Sequence, residues 1–517
     1  MKKILKLSIL LISCYSIAQP TIAWQKCLGG TLGERFDNFQ QTSDGGYILI
    51  GTSSSNNGDV SGSYGPEGDI WVVKTNNLGI LQWQKCLGGT NLDFASFGNI
   101  KQTTDGGYVL IGSTRSIDGD VTGLHDNIGW FEDIWIVKLS NLGIIQWQKC
   151  IGGSGYDIGR DIIQTNDGGY IVVGETSSND GDVTGNHNID NNDIWVVKLT
   201  NNGVFQWKKC IGGTDHESVM TIQQTTDGGY ILVGDTYSND GDITGNHGAS
   251  DFLVVKLSST GAFQWKKCFG GSNFDSGTDI QQTIDGGYIL SGVTVSNDLE
   301  VSGNQGGRDG WIVKISNLGV VQWQKCFGGN NEDNIYSIIQ TQDGGFAIGG
   351  YSNSINGDVL GNHGNFDGWI LKLTNTGTFQ WQKCIGGTNG DYIFSMKQTS
   401  DGGYILSGGS NSNDGDVSGN HGANDAWVVK LSSVLGMDES LYNNLVSFSP
   451  NPVTNILNVN VNDNMINQKY SITDILGKLI VEGKLNENSS SINVEYLSKG
   501  VYFLKVADNK AIKFIKE

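Results

Sequence analysis

Apolar and polar residues alternate in short runs along most of the chain, and the runs recur on a fixed period. Seven segments read Trp-[Gln/Lys]-Lys-Cys, opening at Trp24, Trp83, Trp147, Trp207, Trp265, Trp323 and Trp381. Successive tryptophans stand 59, 64, 60, 58, 58 and 58 residues apart. In the fourth unit, residues 219–225 predict a first strand, and Asp227-Gly228-Gly229 a tight turn whose paired glycines supply positive φ. Residues 230–234 form an apolar second strand, and a long polar loop precedes a third strand at 252–257. After the turn Ser259-Thr260-Gly261, a fourth, alternating strand spans 263–268.

Four short strands in about 60 residues, repeated seven times, predict an all-β fold, a seven-bladed β-propeller of four-stranded blades. A four-stranded sheet with two apolar faces is covered only by stacking on neighbours at both sides, and a ring leaves no uncapped end. The phase of the repeat predicts how the ring closes. Residues 21–27 are a fourth strand with no blade before them, and residues 427–431 are a third strand with no fourth after them. The N-terminal strand is therefore expected to complete the last blade. With 76 Gly and only 4 Pro, composition agrees with turn-rich β structure.

The chain ends point to export. Residues 1–19 combine a Lys2-Lys3 start, an apolar run and Ala18-Gln19, the pattern of a signal peptide. Leu11-Ile12-Ser13-Cys14 loosely resembles a lipobox, which would place a lipid on Cys14. No other run is long and apolar enough to span a bilayer, so no transmembrane segment is expected in the mature chain. The net charge is −20; the first 19 residues carry +3 and residues 434–517 carry −1, leaving −22 on residues 20–433. Such a body disfavours nucleic acid and anionic membranes as partners. The seven repeat cysteines, Cys27, Cys86, Cys150, Cys210, Cys268, Cys326 and Cys384, occupy equivalent positions too far apart to bridge. They are expected to be buried free thiols.

The units resemble the seven-bladed β-propeller repeats of exported bacterial proteins. The residues that carry the likeness are Asp193-Ile194-Trp195-Val196-Val197-Lys198-Leu199, Gly203, Gly212-Gly213, and Asp227-Gly228-Gly229-Tyr230 with Gly234. The resemblance covers about residues 21–433 and implies a fold, not an activity. Past Leu435-Gly436 the repeat stops. Pro450-Asn451-Pro452, Asp474-Ile475-Leu476-Gly477-Lys478, Gly500-Val501-Tyr502 and a basic tail are similar to the type A sorting domain of the type IX secretion system of Bacteroidetes. That likeness implies periplasmic transit, passage through the outer membrane, and the secretion machinery with its sortase as partners. The expected organisation is a signal peptide at 1–19, a propeller at 20–435 and a sorting domain at 436–517, in a protein that is secreted or attached to the cell surface.

Antiparallel order places all the long loops on one rim, where a ligand is expected. Two acidic rows meet there: Glu34, Asp93, Asp157, Glu217, Asp275, Asp333 and Asp391, and then Asp59, Asp120, Asp182, Asp242, Glu300, Asp358 and Asp416. One reading is Ca²⁺, with Asp240, Asp242, Asp414 and Asp416 as the best local ligands. The other is that these acids form turns and satisfy buried N–H groups. Histidines recur in the same loops, at His125, His187, His247, His363 and His421, spread around the rim rather than converging on one ion. The second long loop adds residues, Asp126 to Glu132, including Trp130 and Phe131. With His125 and Asp120 they make a ligand-binding set, since exposed aromatics are what sugar rings stack on; alternatively the rings fold over a blade edge. No catalytic motif stands out. The sequence reads as an exported binding or adhesion protein with an extracellular glycan or surface ligand as partner. The alternative is a polysaccharide-degrading glycoside hydrolase on the same scaffold.

Overall fold

The computed structural model describes residues 19–433, apart from 96, 127 and 128, and residues 446–517, apart from 451, 462–465, 475–477 and 507–511. Residues 1–18 of the expected signal peptide, the lipid site at Cys14 and parts of two sorting motifs (Asn451 and residues 475–477) lie outside the described residues. The chain divides into two compact units, Met1–Val434 and Leu435–Glu517.

In the first unit each sequence repeat becomes one four-stranded antiparallel sheet. Blade 3 is typical: Asp157–Gln164, Tyr170–Thr176, Asp193–Leu199 and Phe205–Ile211, paired in chain order. The first strands of all seven blades line a common central cavity, so they are innermost. The apolar second and third strands are buried along their whole length in most blades, because a neighbouring sheet covers each face. One such interface joins Ile171, Val173, Ile194 and Val196 of blade 3 to Val219, Ile222, Leu232 and Leu253 of blade 4. Trp71, Trp135, Trp195, Trp311, Trp369 and Trp427 are fully buried at the register position that Leu253 takes in blade 4. They are core, and the sheets leave room for them: Gly174 pairs with Trp195, and a Cβ there would lie 2.2 Å from the Ile158 carbonyl oxygen.

The ring closes as the repeat phase predicts. Residues Ile22–Leu28 pair antiparallel with Asp425–Leu431, with Cys27 opposite Trp427, and supply the fourth strand of blade 7. Gln25 Oε1 accepts the Trp427 indole N–H at 3.0 Å, as Gln84 does from Trp71 within blade 1. Leu28 then packs with Phe36 and Phe39 of blade 1 and with Ile405 and Val428 of blade 7. All seven repeat cysteines are buried free thiols.

The short-turn rim is built from two repeated contacts. The turn aspartate pairs with the lysine of the third strand, as in Asp167–Lys198 at 3.0 Å. In addition, the turn amide of one blade donates to a glutamine of the next, as in Thr104 to Gln164 and Asn166 to Gln224, both 2.9 Å.

Blade 2 departs from the plan. Its first strand is split into Asp93–Phe94 and Ile100–Gln102 around Phe97, which adopts φ +64°. The sequence reading noted added residues in the long loop of this unit. Two further added residues stand in the innermost strand.

The second unit is a small β-sandwich. A three-stranded sheet (Val446–Ser449, Ile456–Val461, Ser489–Asn493) and a four-stranded sheet (Leu479–Lys484, Lys469–Asp474, Gly500–Val506, Ile512–Lys516) enclose Leu457, Val459, Ile472, Leu504 and Phe514.

Candidate functional site

The long-loop rim is held together by its own acids. Seven residues after each repeat cysteine, the acids Glu34, Asp93, Asp157, Glu217, Asp275, Asp333 and Asp391 are buried. Each accepts the second amide of its Gly-Gly link at 2.7–3.0 Å. Hydroxyls complete the shell; Thr176 and Ser178 both donate to Asp157. Burial pushes the Asp93 carboxyl up to about 6 and those of Asp157 and Glu217 to about 7, against the hydrogen bonds they accept.

A third row of acids, at the start of each third strand, faces the first. Asp69, Asp133, Asp193, Asp251, Asp309, Asp367 and Asp425 are equally buried. Five of them hold the recurring loop histidines: His125, His187, His247, His363 and His421 place Nδ1 2.5–2.6 Å from the aspartate Oδ2. The ring then reaches toward the next loop, as His125 Nε2 does toward Asp182 at 3.5 Å. The other oxygen, Oδ1, has no hydrogen-bond partner in six of the seven and turns toward the first row across a glycine. A Cβ on Gly152 would lie 2.6 Å from Asp157 and 2.8 Å from Asp133. The sequence reading missed this row, although an Asp opens every third strand and a His precedes five of them.

The residues singled out as metal ligands find partners in their own turns. The Asp240 carboxylate accepts the Thr214 hydroxyl at 2.7 Å and its amide at 2.8 Å, and Asp414 does the same with Thr388. Those bonds hold both carboxyls below the ordinary range. Asp242 lies 3.5 Å from Lys266 and 3.9 Å from His187, and the Asp416 amide donates to the Gly386 carbonyl. Among the described residues no group of three or more His, Cys, Asp or Glu is placed to hold a metal ion.

The aromatic set of the second loop is not brought together. Trp130 is 69% exposed, while Phe131 folds edge-on against Tyr156 at 4.7 Å. Both their amides donate to Asp126. The Asp120 amide turns back to the Gly88 carbonyl of the preceding link, whereas His125 points on to the following loop.

The irregular residues converge elsewhere, on the central channel. A bulge after the third residue of the innermost strand, as between Gly159 and Asp161, projects an extra side chain toward the axis. Around the ring this position holds Asp37, Arg160, Met220, Thr278, Tyr336 and Phe394, with Phe97 from the split strand of blade 2. They line a cavity of about 250 Å³. Phe97 reaches across from blade 2 to stack on Tyr336 at 5.5 Å and to meet Phe394 edge-on at 5.6 Å. Tyr351, Phe366 and Tyr392 extend this half-buried aromatic wall outward on blades 6 and 7.

The other wall is polar. Arg160 pairs with Glu175 at 3.0 Å, and buried Asp235 accepts the hydroxyls of Ser218 and Ser276. Arg35 Nε stands 2.9 Å from Asp37 Oδ1 without the alignment of a hydrogen bond, and Asp37 Oδ2 has no donor. Burial raises the Asp37 carboxyl despite Arg35. One layer deeper, Asp161 accepts from Asn99, Thr221 and the Ile222 amide, and Asp279 from the amides of Ile280 and Ile338.

Residues 447–517 match the family of secretion-system C-terminal sorting domains. No curated protein matches the chain. Among solved structures, the chain is similar to puromycin hydrolase, at 10% identity and TM-score 0.45 over 86% of this chain and 61% of that one. It is also similar to extracellular domains 1–2 of Drosophila semaphorin 1b, at 8% identity and TM-score 0.41 over 80% and 88%. A third is a quinohemoprotein alcohol dehydrogenase of Pseudomonas putida HK5, at 11% identity and TM-score 0.39 over 85% and 79%. These likenesses carry no argument about activity. The chain is thus a closed all-β propeller followed by a C-terminal sorting domain. That domain directs export by type IX secretion, to the cell surface or the medium. No described helix is long and apolar enough to cross a membrane.

Proposed function

We propose that this is an exported binding protein whose ligand, a saccharide or the end of one, sits in the axial channel of the propeller. One observation carries the reading: the blades repeat nearly unchanged in their outer strands and diverge where the innermost strands face the axis. Uniform packing needs no such divergence. An aromatic wall opposite a polar one, around about 250 Å³, suits a small ring-shaped polar ligand. Binding is favoured over hydrolysis because, of the three carboxyls lining the channel, Asp161 and Asp279 have both oxygens engaged by donors, which leaves Asp37 without the second working carboxylate that glycoside hydrolysis uses.

A glycan array with the mature protein, run beside an assay for released reducing ends, tests this. Saccharide binding without release is expected, at least tenfold weaker in Tyr336→Ala and Phe394→Ala. Binding that survives both changes but disappears in Trp130→Ala would move the site to the rim. Reducing ends above background would make the protein a hydrolase.

A further inference from the structure

The deeper end of the channel carries two cations that, among the described residues, make no ion pair. Two residues past the Asp161 layer, the inward positions are Gln40, Ile163, Gln223, Gln281 and Ile339 in five blades, but Lys101 in blade 2 and Lys397 in blade 7. These two blades flank blade 1, and both lysines line the same cavity. Elsewhere in the propeller a buried lysine has its own carboxylate: Lys74, Lys138, Lys198, Lys256, Lys314, Lys372 and Lys430 each lie 2.9–3.0 Å from the aspartate of a turn. Arg160 and Arg35 in the upper channel are paired as well. Neither Lys101 nor Lys397 has a carboxylate within ion-pair distance among the described residues. Asp161 and Asp279 act on these lysines through space without an ion pair, their oxygens being turned to amide and hydroxyl donors.

An ammonium group taken out of water without a partner is costly, and two facing one cavity repel. The Lys101 side chain registers this: desolvation lowers its pKa to about 8, with Asp161 opposing the fall and Lys397 adding to it. A body of strongly negative charge has no general need for cations on its axis, and five of seven blades do without them. We infer that Lys101 and Lys397 form an oxyanion site at the inner end of the channel, taking a carboxylate, sulfate or phosphate group. This rests on the channel being a ligand site, though not on the ligand being a saccharide. The anion is either free or the acidic group of a sugar seated on the aromatic wall.

The test is calorimetric titration of the mature chain at constant ionic strength, with sodium sulfate, sodium phosphate, galacturonate and neutral galactose as probes against chloride. Saturable binding of at least one anionic probe is expected, weakened tenfold or more in Lys101→Gln and in Lys397→Gln and lost in the double variant. Glutamine is what blades 1, 4 and 5 carry at this position, so the variants should fold, and their melting temperatures in chloride check it. Sulfate or phosphate binding without galacturonate binding assigns a free inorganic anion; tighter galacturonate binding assigns an acidic sugar. Heats indistinguishable from chloride for every anion, or binding unchanged in the double variant, would overturn the inference. Saccharide binding that Tyr336→Ala weakens and the lysine variants leave alone would sink the anion site while the channel reading stands. Anion binding in a protein that retains no glycan would keep the anion site and sink the saccharide reading.

Discussion

Asp157 shows what one residue contributes to the rim. Its carboxylate gathers the Gly153 amide and the hydroxyls of Thr176 and Ser178, none of which reaches water. Asp157→Ala should lower stability by about 3 kcal/mol, because three buried donors lose their acceptor. Asp157→Asn should cost less, since it keeps an acceptor and removes a charge facing Asp133; urea midpoints separate the two. The sequence located this row by its fixed distance from the cysteines and offered buried N–H groups as partners, but not which ones, nor the hydroxyls beside them. A spacing shows that a residue recurs, while the donors come from strands that the turns bring back beside it. The row at Asp133 stayed hidden because an Asp before an apolar strand looks like an ordinary boundary residue. The thiols were legible, because Cys alternates with solvent-facing Lys on an edge strand. Burial, with Asp425 nearby, raises the Cys27 thiol to about 12, and Cys86, Cys210, Cys268, Cys326 and Cys384 stand at the same value. A thiol reagent should label none of them in the folded protein and all after unfolding.

At the level of elements, the strands were readable because each has a sharp period and glycine turns at both ends. The split first strand of blade 2 was not. Its two additional residues lengthen the step from Asp93 to Asp105 to 12, against 10 in every other blade, but only the register against Tyr108–Thr114 shows where they break the strand. That element decides the site, since it carries Phe97 across to Tyr336. The channel itself was illegible for a related reason: its bulge residues are 58 or more positions apart, and only the ring makes them neighbours. The closing strand, in contrast, was written in the phase of the repeat. Deleting residues 20–28 should cost roughly 3–9 kcal/mol, the loss of two or three buried side chains at about 1.5–3 kcal/mol each, and a scanning melt should show it. An unchanged melting temperature would mean that the ring is held without this strand.

Over the whole molecule, two sets of carboxyls oppose each other in their response to pH. Burial raises Asp157, Glu217 and Asp309 to about 7, so they hold protons more tightly folded than unfolded. Their contribution is complete below the ordinary carboxylate value and fades as pH climbs to about 7. The turn acids behave oppositely: burial raises Asp44 and Asp227, but bonds from Thr42 and Thr225 and from Lys74 and Lys256 outweigh it and hold them at about 2. Their contribution is full above the ordinary value and lost as pH falls through about 2. The melting temperature of the propeller should therefore peak near pH 4–5 and decline toward pH 8; a maximum at or above pH 7 would contradict the buried carboxyl rows. Removing residues 437–517 should leave the propeller folded and held in the periplasm, which cell fractionation measures. The clasp at Ile22–Leu28 has one more consequence, for time rather than energy. It is the first ring strand to be synthesised and the last to find its neighbour, because that neighbour is the last blade. Until then it is an open hydrogen-bonding edge with an apolar side, and what shields it during transit decides whether the chain arrives as a ring or as a tangle.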